Sequence, residues 1–330
     1  MVNDLLIIAE IGSVHDGSFG NARELIELSA NCGADCVKFQ THIAEAESLP
    51  NAPNPKYFKN ESRQEYFKRT SFNLDQWKKL KAVADTCNVL FLSSPFALEA
   101  VDLLEEVGVF AYKIPSGEVT NLPLLEKISG LGKPVFLSSG MSDWDELDAA
   151  VDVFKDVDLT VMQCSSIYPS PPEQVGLNVI TEMQERYQCQ IGFSDHTIGF
   201  SAAVSAAALG ATVIEKHFTF SKYMYGSDAR HSMEPGDFSI FCIEVKNSCK
   251  MLGNPVDKND TSSYGDMKNI FQKSIVAAFD IPKGTKLELS HLAFKKPGDG
   301  VPASKYKDVI GRETSRKIQE NEKFLIRDIV

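Results

Sequence analysis

LLIIAE, from Leu5 to Glu10, is an apolar run closed by a carboxylate, and the chain repeats that form seven more times. CVKFQ (36–40) closes on Lys38 and Gln40, NVLFLSS (88–94) on two serines, and AYKIPSGE (111–118) on Lys113, Ser116 and Glu118. PVFLSS (134–139) ends on Ser138 and Ser139, and LTVMQCSS (159–166) ends on Gln163 to Ser166. QIGFSDH (190–196) ends on Ser194 to His196, and TVIEKH (212–217) ends on Glu215 to His217. Between these runs lie segments with apolar residues at helical spacing: 22–30, 74–84, 97–107, 122–128, 144–154, 201–209 and 238–252. Eight strand-then-helix units predict a (β/α)8 barrel. In that fold the carboxyl ends of the strands converge on the face that carries the chemistry, so the polar closing residues are expected to meet.

A barrel of this kind uses about 250 residues, and the chain has 330. The expected division is a barrel domain over 1–257, a polar linker over 258–269 that includes KNDTSSYG, and a small β-rich domain over 270–330. Turn signals at Pro282 to Gly284 and Pro297 to Gly300 mark the last of these. At 43% hydrophobic and 24% charged residues the chain has enough apolar material for a sizeable core. Its net charge of −11 argues against nucleic acid or an anionic membrane as partner, since neither would be attracted at long range. No run of about 20 apolar residues is present to cross a membrane, and no basic stretch followed by an apolar signal segment opens the chain. A cytoplasmic location is therefore expected. The seven cysteines show no metal-type pairing and fit reduced thiols used as small core residues. Cys164, near a strand end, is read the same way for want of an activating histidine.

Several closing residues suit anion and metal chemistry. Lys38 and Lys113 would focus positive charge in an otherwise acidic protein; the alternative for either is a side chain that snorkels to solvent. Hydroxyls at five consecutive strand ends, among them Ser116, Ser138 and Ser194, suit a phosphate or carboxylate. Ser142 is expected to cap the following helix. His196 and His217, near the ends of consecutive strands and beside Asp195 and Glu215, predict a divalent metal site completed by water, suited to Mn, Mg, Co or Zn. Glu10 and Glu118 would flank a polyol substrate or pair with the lysines. His15 and His42 are expected at the barrel rim, His231 and His291 at the surface. The stretch from Asn54 to Arg69 reads either as a lid or as a solvated helix with an aromatic face.

An ordered set of motifs then carries a resemblance. IAEIG-x-x-H-x-G (8–17), GAD-x-VKFQTH (33–42), YKIPSGE (112–118), LSSGM (137–141), SSIYPSP (165–171), GFSDHT (192–197), EKHFT (215–219) and GSD-x-x-x-SMEP (226–235) together resemble the sialic acid synthase family. The chain after Asn269 is similar to that family's antifreeze-like, or SAF, domain. The resemblance implies an enzyme that condenses phosphoenolpyruvate with an N-acylated hexosamine such as N-acetylmannosamine, giving a nine-carbon 2-keto acid and phosphate. It also implies a divalent metal, Mn2+ foremost with Mg2+ or Co2+ as alternatives, and a domain-swapped homodimer.

Carried over motif by motif, the resemblance places Lys38, Lys113, Ser116, Ser138 and Ser194 on phosphoenolpyruvate. It places Gln40, Tyr168 and Asp228 on the sugar, Glu10 and Glu118 at the reacting centre, and His196 and His217 on the metal. Lys296 stands where the family shows an arginine that meets the sugar's acyl group, and Ser166 where an asparagine is common. Lysine lacks the planar two-pronged contact of arginine. The acceptor is therefore left open among N-acetylmannosamine, its 6-phosphate and the diacetamido sugars that lead to legionaminic or pseudaminic acid. Another metal-dependent aldolase on the same barrel, or a silent sugar-binding protein, are the rival functions.

Overall fold

β1 (Leu6–Gly12), β2 (Cys36–Thr41), β3 (Leu90–Pro95), β4 (Tyr112–Ile114), β5 (Val135–Ser138), β6 (Leu159–Cys164), β7 (Gln190–Asp195) and β8 (Val213–His217) pair in parallel, each with the next, and β8 closes on β1. The computed structural model describes residues 5–54 and 61–330. Each strand is followed by helix: α1 (Phe19–Asn31), α2 (Ala44–Glu47), α3 (Arg63–Thr70), α4 (Leu74–Thr86), α5 (Leu98–Val107), α6 (Leu122–Ser129), α7 (Trp144–Val153), α8 (Leu177–Arg186), α9 (Ser201–Ala208) and α10 (Pro235–Gly253). The (β/α)8 barrel expected from the eight runs is what the chain forms. Part of the stretch expected as a lid, residues 55–60, lies outside the described residues; the part that follows forms α3, with Tyr66 and Phe67 buried.

Local chemistry sets where the helices begin. Asn73 accepts from the Gln76 amide N–H while Gln76 accepts from the Asn73 amide, a reciprocal cap that starts α4. α7 starts the same way, but on Asp143 with Glu146 rather than on Ser142. Asp143 has a glutamate three residues on to complete the reciprocal pair, whereas the residue three beyond Ser142 is Asp145, whose side chain is shorter.

The main core lies between strands and helices, where Ile7, Val37, Phe39, Leu104, Leu125, Val161, Phe193 and Ile214 are buried against one another. Ile8, Cys36, Leu92, Ala111, Phe136, Met162 and Val213 form a second cluster inside the barrel. Successive residues of a strand face opposite sides, so these two sets share the same strands without mixing.

The chain divides into two compact units, Met1–Pro255 and Val256–Val330. In the second, β9 (Ser274–Ala277) and β10 (Leu292–Lys295) pair antiparallel over a core of Ile275, Ile281, Leu287, Val309, Ile318 and Phe324. The expected linker is not all irregular, because Gly265–Phe271 forms a short helix, α11. It is tied to its own unit by the Gly298 N–H donating to the Asn269 carbonyl at 2.7 Å. A short helix, α12 (Tyr306–Val309), follows in the same unit.

Gly192 faces the barrel interior, where a Cβ would lie 2.9 Å from the Val213 carbonyl oxygen and 3.1 Å from Met162 Cγ. Backbone does not yield as a flexible side chain would. Gly192→Ala is expected to cost about 1–3 kcal/mol through overpacking, read as a lowered urea midpoint; an unchanged midpoint would mean that β7 and β8 part without strain.

Candidate active site

Counting two residues up each strand from the apolar cluster inside the barrel reaches Glu10, Lys38, Ser94, Lys113, Ser138, Cys164 and Glu215, and Ser194 lies two beyond Gly192. All eight are buried. A second step of two reaches Gly12, Gln40, Gly140, Ser166, His196 and His217 at the mouth. The strand period thus stacks an apolar floor, a charged layer and a mouth in one shaft.

The charged layer is a closed set of ion pairs. Lys38 Nζ lies 3.0 Å from Glu10 Oε2 and 3.5 Å from Glu215 Oε1, while Lys113 Nζ lies 2.8 Å from Glu215 Oε2. Ser194 Oγ donates to Glu215 at 3.1 Å, and Lys38 donates to Ser94 Oγ at 3.4 Å. Burial opposes the ionisation of Glu215, yet Lys113 and Lys38 outweigh it and hold the carboxyl well below the usual carboxylate range. Burial pushes Lys113 down, and Lys38 adds to that against the pull of Glu215. Lys38 feels the same burial, but Glu10 and Glu215 together raise it. Lys113 is therefore the less compensated cation, and the one that an incoming anion would relieve most. Both lysines point into the barrel and neither snorkels to solvent.

Ser116 and Glu118 lie in a single 3-10 turn after β4. Ser116 Oγ accepts from the Gly140 N–H at 3.0 Å. A Cβ on Gly140 would sit 2.5 Å from Ser166 Oγ, 2.7 Å from Ser116 Oγ and 3.1 Å from Cys164 Sγ, so these side chains converge on the space that glycine leaves. Ser138 Oγ, beside them on β5, is buried with no hydrogen-bond partner among the described residues. Glu118 is half-buried, accepts from Asn121 at 2.8 Å, and is raised by that burial. Cys164 does have a histidine neighbour, His196 Nδ1 at 3.7 Å, but burial pushes the thiol up and keeps it from being a ready nucleophile.

On the other side of the mouth Gly12 plays the same part. A Cβ there would sit 2.9 Å from Asp228 Oδ2, 3.1 Å from Glu10 Oε1 and 3.2 Å from Gln40 Nε2. Its φ of +52° is a second reason for glycine. Gln40 Nε2 donates to Glu10 Oε1 at 2.8 Å. The structure thus brings Glu10, Gln40 and Asp228 to one point, although Asp228 lies 11 residues past the end of β8.

His196 and His217 stand side by side, with ring centroids 5.5 Å apart, and burial lowers both. His196 Nδ1 lies 2.7 Å from the Ser165 carbonyl, which fixes that nitrogen as the donor and leaves the other with its lone pair. His217 Nδ1 is buried without a partner among the described residues. The Tyr168 ring, half-exposed, lies 4.1 Å from that of His196. Asp195 does not join them. It faces out of the barrel and pairs with Lys216 at 2.8 Å, because neighbouring residues of a strand point to opposite sides. Among the described residues no group of three or more His, Cys, Asp and Glu side chains converges as a metal cage. Two imidazoles, one with an orphaned buried nitrogen, fit a divalent ion that takes its other ligands from water and substrate.

His15 and His42 stand just beyond the ends of β1 and β2, at the rim, and both are buried there. Burial lowers His15 to about 4, and its Nδ1 accepts from the Gly17 N–H. Lys296 belongs to the second unit, where its Nζ lies 5.0 Å from the centre of the Phe271 ring.

Residues 25–257 match the model of the NeuB family, and residues 272–329 match the SAF domain. The chain belongs to the NeuB family. It is 38% identical to the N,N'-diacetyllegionaminic acid synthase of Campylobacter jejuni over 98% of this chain and 99% of that one. It is 32% identical to the human N-acetylneuraminate-9-phosphate synthase over 97% and 91% of the two chains. A crystal structure of the N-acetylneuraminic acid synthetase of Leptospira borgpetersenii in complex with citrate superposes with a TM-score of 0.72 at 29% identity, over 81% of this chain and 91% of that one. This NeuB-family chain is an enzyme, and its buried lysines, hydroxyls and imidazoles share the mouth of one barrel.

Gly12 was missed as a site member by sequence reasoning, and Ser94 and Glu215 were placed at their strand ends without a catalytic or substrate-binding role. Counting by two from the apolar floor would have found all three. Two outcomes follow from the geometry. Glu215→Gln keeps the shape and removes the charge that two lysines share, so it is expected to destabilise the fold by about 3–5 kcal/mol in chemical unfolding; a neutral result would mean that the lysines find other partners. Gly12→Ala drives a Cβ into three polar tips and is expected to lower kcat/KM about 100-fold while the protein still folds, as checked by circular dichroism.

Proposed function

We propose that the chain condenses phosphoenolpyruvate with an N-acylated hexosamine, N-acetylmannosamine or a close relative, giving a nine-carbon 2-keto sugar acid and inorganic phosphate. The observation that carries this reading is the stacked shaft, in which two buried lysines and a set of hydroxyls lie directly below two imidazoles. Phosphoenolpyruvate is close to a trianion at neutral pH, and only compensated cations and hydrogen-bond donors in a low-dielectric cleft can hold it. Lys38, Lys113, Ser116, Ser138 and Ser194 are that set. Gln40, Ser166, Tyr168 and Asp228 face the sugar, and Lys296 reaches its acyl group from the SAF domain of the partner copy in a homodimer.

A divalent ion, Mn2+ with Mg2+ or Co2+ as alternatives, would be held by His196 and His217 and would polarise the aldehyde oxygen of the open-chain sugar. C3 of the enol phosphate attacks the aldehyde carbon, the carbonyl π pair moves onto oxygen, which takes a proton to become a hydroxyl, and positive charge develops at C2. Water adds at C2, with Glu118, whose carboxyl is raised by burial, taking a proton. The resulting adduct collapses to the ketone as the C2–O bond to phosphate breaks. Glu10, held by Lys38 and Gln40, stabilises the developing positive charge. The phosphate leaves beside Lys113.

Identity of 38% across nearly the full chain with a diacetyllegionaminic acid synthase favours a diacetamido hexose as the second reading of the acceptor. A lysine at position 296 agrees with altered acyl recognition. N-acetylmannosamine 6-phosphate is the third candidate.

Chelator-stripped protein given Mn2+ is expected to release phosphate from phosphoenolpyruvate with one sugar from a panel of N-acetyl, 6-phosphorylated and diacetamido hexoses. No release with any of them would overturn the reading. With oxygen-18 in the bridging position, the label is expected in the released phosphate; label in the keto acid would place cleavage at the P–O bond. His196→Ala should abolish turnover and lower the metal content measured after dialysis.

A further inference from the structure

His42 is the first residue beyond β2, and its ring is sandwiched between two phenyl rings. Phe67 of α3 lies 3.7 Å away, centroid to centroid, at an interplanar angle of 17°, and Phe96 lies 4.2 Å away at 18°. His42 Nδ1 is 2.8 Å from Oε2 of Glu47, and both side chains are only 5% exposed. His42 Nε2 is 3.2 Å from Oε1 of Gln40. Gln40 in turn donates from Nε2 to Glu10 Oε1. A continuous line of hydrogen bonds therefore runs from Glu47 through His42 and Gln40 to the charged layer.

Counting donors along this line decides where the protons are. Glu10, paired with Lys38, only accepts, so the Gln40 amide must turn its NH2 to Glu10 and its carbonyl to His42. A carbonyl only accepts, so Nε2 of His42 must carry a hydrogen. The bond between Nδ1 and Glu47 holds the other side of the ring in place.

We infer that His42, clamped between Phe67 and Phe96 and bonded to Glu47, is a positioning residue whose Nε2–H locks the Gln40 amide. The other titratable groups around it are Arg63, whose guanidinium lies 5.6 Å from the Phe67 ring, His15 on the β1 side, and Glu118 beyond Glu47. With its carbonyl held by His42 and one N–H held by Glu10, Gln40 has one N–H left beside Asp228. The mouth then presents a fixed donor at this point, matched to a hydroxyl or acyl oxygen of the acceptor. Without the Nε2 hydrogen the amide would lose its partner on the His42 side. The specificity half of this inference rests on the sugar site proposed above, whereas the Nε2–H contact does not.

The experiment uses the full chain labelled with nitrogen-15 histidine, with His42 assigned by the signals that vanish in His42→Phe. At pH 7.5 Nε2 of His42 is expected at a protonated shift, and a bare Nε2 overturns the lock. His42→Phe keeps the ring stack without an N–H, and is expected to raise KM for the sugar about tenfold while KM for phosphoenolpyruvate stays within about twofold. An unchanged sugar KM overturns the positioning role. The nitrogen shifts need no substrate, so absence of turnover with every sugar would sink the proposed reaction and leave this inference to be decided by the spectra.

Discussion

Two acids and two bases share a buried layer inside the barrel, and the site is built on their balance. Removing Glu10, Lys38, Glu215 and Lys113 from water costs several kcal/mol per ion before any pairing is counted. Apolar residues of similar volume would give a more stable barrel at this level, as the layer of Ile8, Leu92, Phe136 and Met162 does just below. The charged layer therefore has a use other than stability. Each lysine is held in place and ionised by its carboxylate, and Lys113, the less compensated of the two, keeps a claim on further negative charge.

The rest of the mouth follows from how that layer is held. Glu10 ties the layer to Gln40, Gln40 to His42, and His42 to Glu47, so one end of the ion set is fixed through three side chains to α2. Glu215 ties the other end to Ser194 and to both lysines. Above these, Gly12 and Gly140 leave the only kind of space in which three polar tips each can meet, and each borders a different side of the shaft. The outward-facing pair of Asp195 and Lys216 belongs to the wall, where it joins β7 to β8 without touching the chemistry. This division between wall and shaft is a consequence of the strand period alone.

Much of this was legible in the sequence, and the failures have one origin. Apolar runs with polar ends located the eight strands, and the closing residues Lys38, Lys113, Ser138, Ser194, His196 and His217 all face into the barrel. Asp195 and Glu215 were taken together as neighbours of the histidines, although they stand at opposite phases of their strands, so that one faces the wall and the other the shaft. Ser142 was read as a helix cap because a serine at a strand end commonly caps the next helix, but Asp143 forms the reciprocal cap with Glu146. Cys164 was assigned to the core for lack of a histidine partner, and only the folded chain brings His196 beside it from the next strand.

Periodicity and chemistry along the chain determined the barrel, the tail domain and the class of residue at each strand end, because a strand of period two needs only local pattern to declare its faces. The tertiary structure decided which charges neutralise which, since Lys113 and Glu215 are 102 residues apart and meet only when the barrel closes. It also decided that Asp228 turns back over Gly12 and that Phe67 and Phe96 close on His42 from two sides. Those contacts depend on loop paths and on the absence of a side chain at Gly12, and neither leaves a periodic mark in the sequence.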